Sequence, residues 1–147
     1  MFEAIRKVTS NMQSITAARV IDTLIKQPAL NGLVIELNTQ DQLFKRGVDS
    51  KGLSLGVYAP FTIEAKRRKG QPTNRVTLRD TGDFHRTWTV TTKNGDIIIE
   101  ADGDKSDKNL MDVYGEDIVG LTDENLQKII DEIAIKASEL VEVLLLA

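Results

Sequence analysis

FHRTWTVTTKNGDIIIEAD, residues 84–102, carries the strongest local signal in the chain. Two β-rich runs flank Asn94-Gly95, the pair favoured in a two-residue type I′ turn because both central positions need positive φ. That turn sets Lys93 opposite Asp96 and Val90 opposite Ile99. Trp88, Val90, Ile97, Ile99 and Ala101 then share one apolar face. Thr89, Thr91, Ile98 and Glu100 share the other, more solvated one. A β-hairpin is the reading from which the rest of the fold is assembled.

Helical patterns dominate both ends. In residues 3–26, Ile5, Val8, Met12, Ile15, Ile21 and Ile25 recur at helical spacing, and Gln27-Pro28 ends the pattern because proline disfavours helix in the residue before it. At the other end Thr122 is an N-cap, Asp123 and Glu124 suit the positive end of the helix dipole, and Leu121 is placed to staple onto Leu126. Leu126, Ile129, Ile130, Ile133, Ala137, Leu140, Val141 and Leu144 form the expected buried stripe. Val143, Leu145 and Leu146 exceed it, which suits either deep packing or a subunit contact.

Between these ends the elements are short. Leu33–Leu37 reads as a strand, and Thr39 as the cap of a helix through Arg46 closed by Gly47. VDSKGLSLGVYAP, with Asp49, Gly52 and Gly56, reads as an irregular loop. Thr62 is expected to cap a short helix, IEAKRRKG, stopped by Gly70, and QPTNR is an exposed connection. DGDKSDKN is a polar loop and LMDVYG a helical turn. There is no internal repeat. The expected class is α+β: long N- and C-terminal helices packed on a small antiparallel sheet containing the hairpin, in one domain spanning residues 1–147.

The composition, 41% apolar and 28% charged, is that of a soluble globular protein. The chain has no cysteine and one histidine. Disulfides, thiolate zinc sites, cysteine nucleophiles and histidine-rich metal sites are therefore excluded within one chain. No apolar run approaches the length of a membrane helix, and the first residues lack the core of a secretory signal, so a cytosolic start is expected.

Net charge is −3, unevenly distributed. Residues 45–79 hold nine basic residues (Lys45, Arg46, Lys51, Lys66, Arg67, Arg68, Lys69, Arg75 and Arg79) against Asp49 and Glu64. Residues 80–147 hold six basic against sixteen acidic. Such polarity suits head-to-tail contact between identical subunits, and equally two solvated regions of opposite sign.

Asp80-Thr81-Gly82 spells the motif that carries the catalytic aspartate of dimeric aspartic proteases, where two carboxylates share one proton. Here Arg79 precedes it and Asp83 follows, with no apolar lead-in; Ile118-Val119-Gly120 only faintly echoes the segment that supports such a loop. A turn delivering the chain into the Trp88 strand fits better, with Phe84 and Trp88 as core aromatics. His85 beside Asp80 and Asp83 has no serine close in sequence to activate. Asp102, Asp104 and Ser106 match the first ligand positions of an EF-hand, but Asp107 stands where glycine is required and Val113 where glutamate is. No phosphate-binding glycine motif occurs. The residues thus indicate no catalytic, cofactor-binding or metal site. The basic residues Lys66, Arg67, Arg68, Lys69, Arg75 and Arg79 are the candidates for facing a subunit or DNA. The scarcity of aromatics near them, only Tyr58 and Phe61, weakens the nucleic-acid reading.

The stretch LFKRGVDSKGLSLGVYAPFTIEAKRRKGQPTNRVTLRDTGDFHRTWTV, followed by NGDIIIEAD and VYGEDIVGLTDENLQKII, resembles the virion-morphogenesis, tail-completion and head–tail neck proteins of tailed bacteriophages. Its wording is like that of members from phages of gut Bacteroidales, crAss-like ones included. Gly47, Gly52, Tyr58, Pro60, Thr62, Lys66, Leu78, Thr81, Gly82 and Phe84 fill the family's places, and the likeness covers about residues 40–135. The family often has a tryptophan in the loop; here the loop has Leu55 and the hairpin Trp88. The resemblance implies a structural, non-enzymatic virion protein of the head–tail junction. It would form a ring of its own copies (connector, adaptor or tail terminator) between the portal and tail proteins, with possible non-specific contact to channel DNA. It implies no cofactor, membrane or small-molecule substrate, and assembly in the host cytoplasm. Two alternatives remain: a small nucleic-acid-binding protein using the basic 66–79 region, and a dimeric aspartic protease.

Overall fold

The hairpin forms as its turn chemistry dictates. Asn94 and Gly95 take φ of 53° and 85°, and β1 (Thr89–Lys93) pairs antiparallel with β2 (Asp96–Glu100), Lys93 opposite Asp96 and Val90 opposite Ile99. This two-stranded sheet is the only one in the computed structural model, which describes residues 1–147. Around it stand seven α-helices: α1 (Phe2–Ser14), α2 (Ala17–Ile25), α3 (Pro28–Glu36), α4 (Pro60–Arg68), α5 (Asp83–Arg86), α6 (Leu110–Tyr114) and α7 (Asp123–Leu146). The class is α+β.

Two apolar clusters make the core. Val20, Leu24 and Ile25 of α2, Leu30 and Val34 of α3, Leu37, Val90 and Ile129 form the first; Leu43, Phe84, Trp88, Leu110 and Ile118 form the second. Successive inward residues of the hairpin, Trp88 and Val90, fall in different clusters, and Ile35 and Ile99 pack against both. The chain entering β1 therefore ties the two halves of the core together. Trp88 meets Phe84 edge-to-face, with ring centroids 5.6 Å apart, a favoured arrangement for aromatic quadrupoles.

The N-terminal pattern is two helices rather than one. Ile15 is extended, and the Thr16 side chain accepts the Arg19 amide at 3.1 Å, starting α2 afresh. A threonine that satisfies one of the free N–H groups favours a helix start at that point. α2 then lies against the hairpin, where the Thr92 hydroxyl donates to the Asp22 carboxylate. Asn31 donates to the carbonyls of Ile25 and Val90, fixing α3 to both.

The expected strand at Leu33–Leu37 is helical. Pro28 occupies the first turn of α3, and the helix continues without a cap at Thr39 into a wider π-helix, Leu37–Arg46. Short apolar runs fit a buried helix as well as a strand. Gly47 closes it as expected, with φ of 61°, and a Cβ there would stand 2.8 Å from the Val76 carbonyl oxygen. α4 begins one turn earlier than its sequence suggests, with Ala59 as N-cap and Pro60 in the first turn, so Thr62 is interior.

The π-helix turns Asn38, Thr39 and Gln42 inward, each at most 3% exposed. Asn38 accepts from the Gly120 amide at 2.7 Å and donates to the Ile118 carbonyl; Gln42 donates to the Gly120 carbonyl at 2.8 Å and accepts from the Thr122 amide at 2.9 Å. Asn125 donates to Gln42 at 3.0 Å and to Asp41 at 2.9 Å. These amides grip the segment entering α7, whose Thr122 cap accepts the Asn125 amide as expected. Ile129 is buried and Ile133, Ala137, Leu140 and Val141 pack on the first cluster. Leu126 and Ile130, expected in that stripe, are instead 42% and 47% exposed, because the amide grip presents Asn125 and Ile129 to the core.

Candidate functional site

The entry turn is built from its own hydrogen bonds. Asp80 accepts Lys69 Nζ at 2.7 Å, and its carbonyl accepts Gln71 Nε2 at 2.8 Å. The Thr81 hydroxyl donates to Asp83, Gly82 takes φ of 87°, and the four-residue α5 follows. The Lys69 hydrogen bond holds Asp80 below the usual carboxylate range; the Thr81 hydroxyl, seconded by Arg86, does the same for Asp83. A carboxylate kept ionised by an adjoining cation is the opposite of one that shares a proton. Ile118 to Gly120 does not serve this turn but sits in the Asn38 and Gln42 grip.

His85 is half-buried behind the turn. Its Nε2 lies 3.2 Å from the Thr77 carbonyl, which only an Nε2–H tautomer can use, and Nδ1 meets no protein donor. Burial drives its pKa down to about 4, outweighing the Thr77 bond, with Arg79 and Lys105 adding to the depression. The ring is a neutral strut at neutral pH.

A cleft of about 470 Å³ opens between α4, the entry turn, the 102–109 loop and α6. Leu78, Phe84 and Leu110 line its apolar part, Tyr58, Phe61 and Tyr114 its aromatic part, and Lys69, Arg79, Lys105 and Lys108 its cationic part. Phe61 is 86% exposed. Leu78 has φ of 52°, a conformation that costs a bulky residue about 1–3 kcal/mol and persists only where neighbours fix it. They do: the Tyr58 hydroxyl accepts the Thr77 amide at 2.9 Å, and Lys66 donates to the Arg79 carbonyl at 3.1 Å.

Five of the nine residues singled out in the sequence, Lys66, Lys69, Arg79, Asp80 and Thr81, line this cleft. Lys66 does so as an internal support rather than as a face for DNA or a subunit. It is 7% exposed, bonded to Arg79 and Gln71, and set 4.8 Å from the Tyr58 ring centroid. Arg67 and Arg68 stand outside the cleft, both paired to Glu64. Arg75 turns away to donate to the Phe44 carbonyl and to Asn74, while the Arg79 guanidinium lies 4.9 Å over the Phe44 ring. Gly82 shapes the turn and is buried.

The sequence did not single out Lys105 and Lys108 as partners of the basic region. They belong to an acidic loop whose carboxylates hold the loop itself: Asp102 accepts the Asp104 amide, and Asp104 accepts Asn109, which caps α6. No group of three or more His, Asp or Glu side chains is gathered in metal-binding geometry, and no helix is long and apolar enough to cross a membrane. No protein-family model, curated protein or solved structure matches this chain.

Proposed function

We propose that the chain is a structural subunit of a multi-copy ring at the head–tail junction of a tailed bacteriophage, acting as connector, adaptor or tail terminator. The observation that carries the need for neighbours is α1. It is thirteen residues long and has no buried residue, yet it presents an apolar stripe in which Phe2 is 78% exposed, Ile5 55% and Met12 60%. A helix of that length is marginal in water by itself, and its stability ordinarily comes from a packed apolar face. The chain has such a face and little of its own to set against it.

The entry turn supports the same reading. Its ionisable groups are held by Lys69, Arg86, Thr81 and Thr77 in roles that fix the backbone. The place in a phage particle rests on the family resemblance. Electron microscopy of purified particles is the direct test, with this chain expected as a closed ring between portal and tail. Particles lacking the protein would overturn the assignment. Tight, salt-dependent binding of a free small oligomer to DNA would favour the nucleic-acid alternative.

A further inference from the structure

Two exposed stripes on this chain complement each other and neither covers the other. On α1, Phe2, Ile5, Val8 and Met12 recur at intervals of three and four, with Arg6 at the edge of the stripe beside Phe2. On α7, Asp131, Ile135, Glu139, Glu142 and Leu146 recur at the same intervals, and all five are exposed. This second stripe lies away from the core-facing Ile129, Ile133, Ala137 and Leu140. Ile135 is 59% exposed and Leu146 75%. None of Arg6, Glu139 or Glu142 has an ion-pair partner in the chain.

We propose that the apolar face of α1, with Arg6 at its edge, docks on the acidic, apolar outer face of α7 in a second copy of the chain. The two faces do not meet within one copy: α1 lies beside the end of α7 through another side, where Asn11 Nδ2 donates to the Leu145 carbonyl at 3.3 Å, and both stripes stay exposed. The contact joins different surfaces of identical subunits, so it propagates head to tail and closes into a ring if its rotation closes.

The size of the contact sets its strength. The exposed side chains of α1 offer roughly 400 Å² of apolar area, about half of the ~800 Å² per partner in a standard stable interface. A single contact is therefore weak, with dissociation in the micromolar range, and ring closure multiplies it. A lipid surface fits α1 less well. Its polar side mixes Glu3, Lys7, Ser10 and Gln13, and is not the lysine-rich face of an interfacial helix.

The inference names the contact surface of the ring proposed above and rests on that reading only for its biological setting. Sedimentation of the full chain from about 5 to about 200 μM tests it. Concentration-dependent self-association is expected. Ile5→Asp with Met12→Asp should weaken it at least about tenfold with little change in melting temperature, since both residues are exposed. Arg6→Glu and Glu139→Lys/Glu142→Lys should each weaken association, and an equimolar mixture of the two variants should restore it. A wild-type chain that stays monomeric overturns the proposal. So does a dimer whose reversed α1 is not rescued by reversed α7, or binding to anionic phosphatidylserine vesicles without self-association. A monomeric chain nevertheless found in purified particles defeats this contact and leaves the particle role standing. A self-associating chain absent from particles does the reverse.

Discussion

Gln42 Nε2 donates to the carbonyl oxygen of Gly120 at 2.8 Å, joining residues 78 apart in sequence. The same side chain accepts the Thr122 amide, so one buried amide fixes both the approach to α7 and its first turn. Replacing it by an apolar group of similar size strands a buried donor and a buried acceptor, each worth about 1–3 kcal/mol. Gln42→Leu should destabilise the fold by about 3 kcal/mol, lowering the melting temperature by about 6–12 °C. Thermal unfolding followed by circular dichroism measures this; a loss under about 1 kcal/mol would show that the grip is dispensable.

Gly47 combines a left-handed conformation with a close approach to Val76. Gly47→Ala adds backbone strain and pushes a methyl group against a carbonyl oxygen that cannot retreat freely. A cost of about 2–3 kcal/mol is expected in urea unfolding, shifting the midpoint with no change in slope. The same substitution at Gly52, where nothing lies within 4 Å, carries only the conformational part and should cost clearly less.

The hairpin, Gly47 and the Thr122 cap were legible because each is decided by neighbours in sequence: an Asn-Gly pair, a glycine past a helix, a threonine before two acids. The helix at Leu33–Leu37 was not. Its five residues, four apolar and one exposed glutamate, are too few for periodicity to separate helix from strand. The partition of α1 from α2 was hidden for a related reason, since the apolar spacing resumes across Thr16 and only the cap breaks it. Of the site, the entry turn could be read, but the sequence offered Lys66 as an exposed cation. Its burial depends on Tyr58, Gln71 and the Arg79 carbonyl arriving from separate segments.

His85 gives the fold a pH dependence of definite sign. Its folded pKa, about 4, lies below the ordinary 6.5 because burial disfavours the charged ring. Between those values the unfolded chain binds a proton that the folded chain does not. Stability is therefore full above pH 6.5, falls as pH drops through that value, and has lost the whole contribution near pH 4. With the ring only partly shielded from solvent, the loss should be about 1–2 kcal/mol. His85→Gln keeps a donor for Thr77 and should flatten this part of the profile. Asp41 and Asp80, both held below 3.8, act at lower pH and are common to both proteins. Parallel stability profiles for wild type and variant from pH 4 to 6.5 would refute this role.

Arg67 and Arg68 are the proper probes of the basic face, and Lys66 is not. Lys66→Glu sets a carboxylate against the Arg79 carbonyl in a site 7% exposed and removes the link between α4 and the entry turn. Breaking a buried, bonded charge in this way should cost about 3–5 kcal/mol and loosen Leu78 from its strained conformation. Arg67→Glu with Arg68→Glu reverses exposed charges whose only partner is Glu64, and should change stability by less than about 1 kcal/mol. If the basic face meets a neighbour or DNA, the double variant should fold, show the wild-type circular dichroism spectrum, and fail to enter particles. Normal incorporation of that variant would confine these arginines to the solvated surface, whereas failure of Lys66→Glu alone would report only on folding.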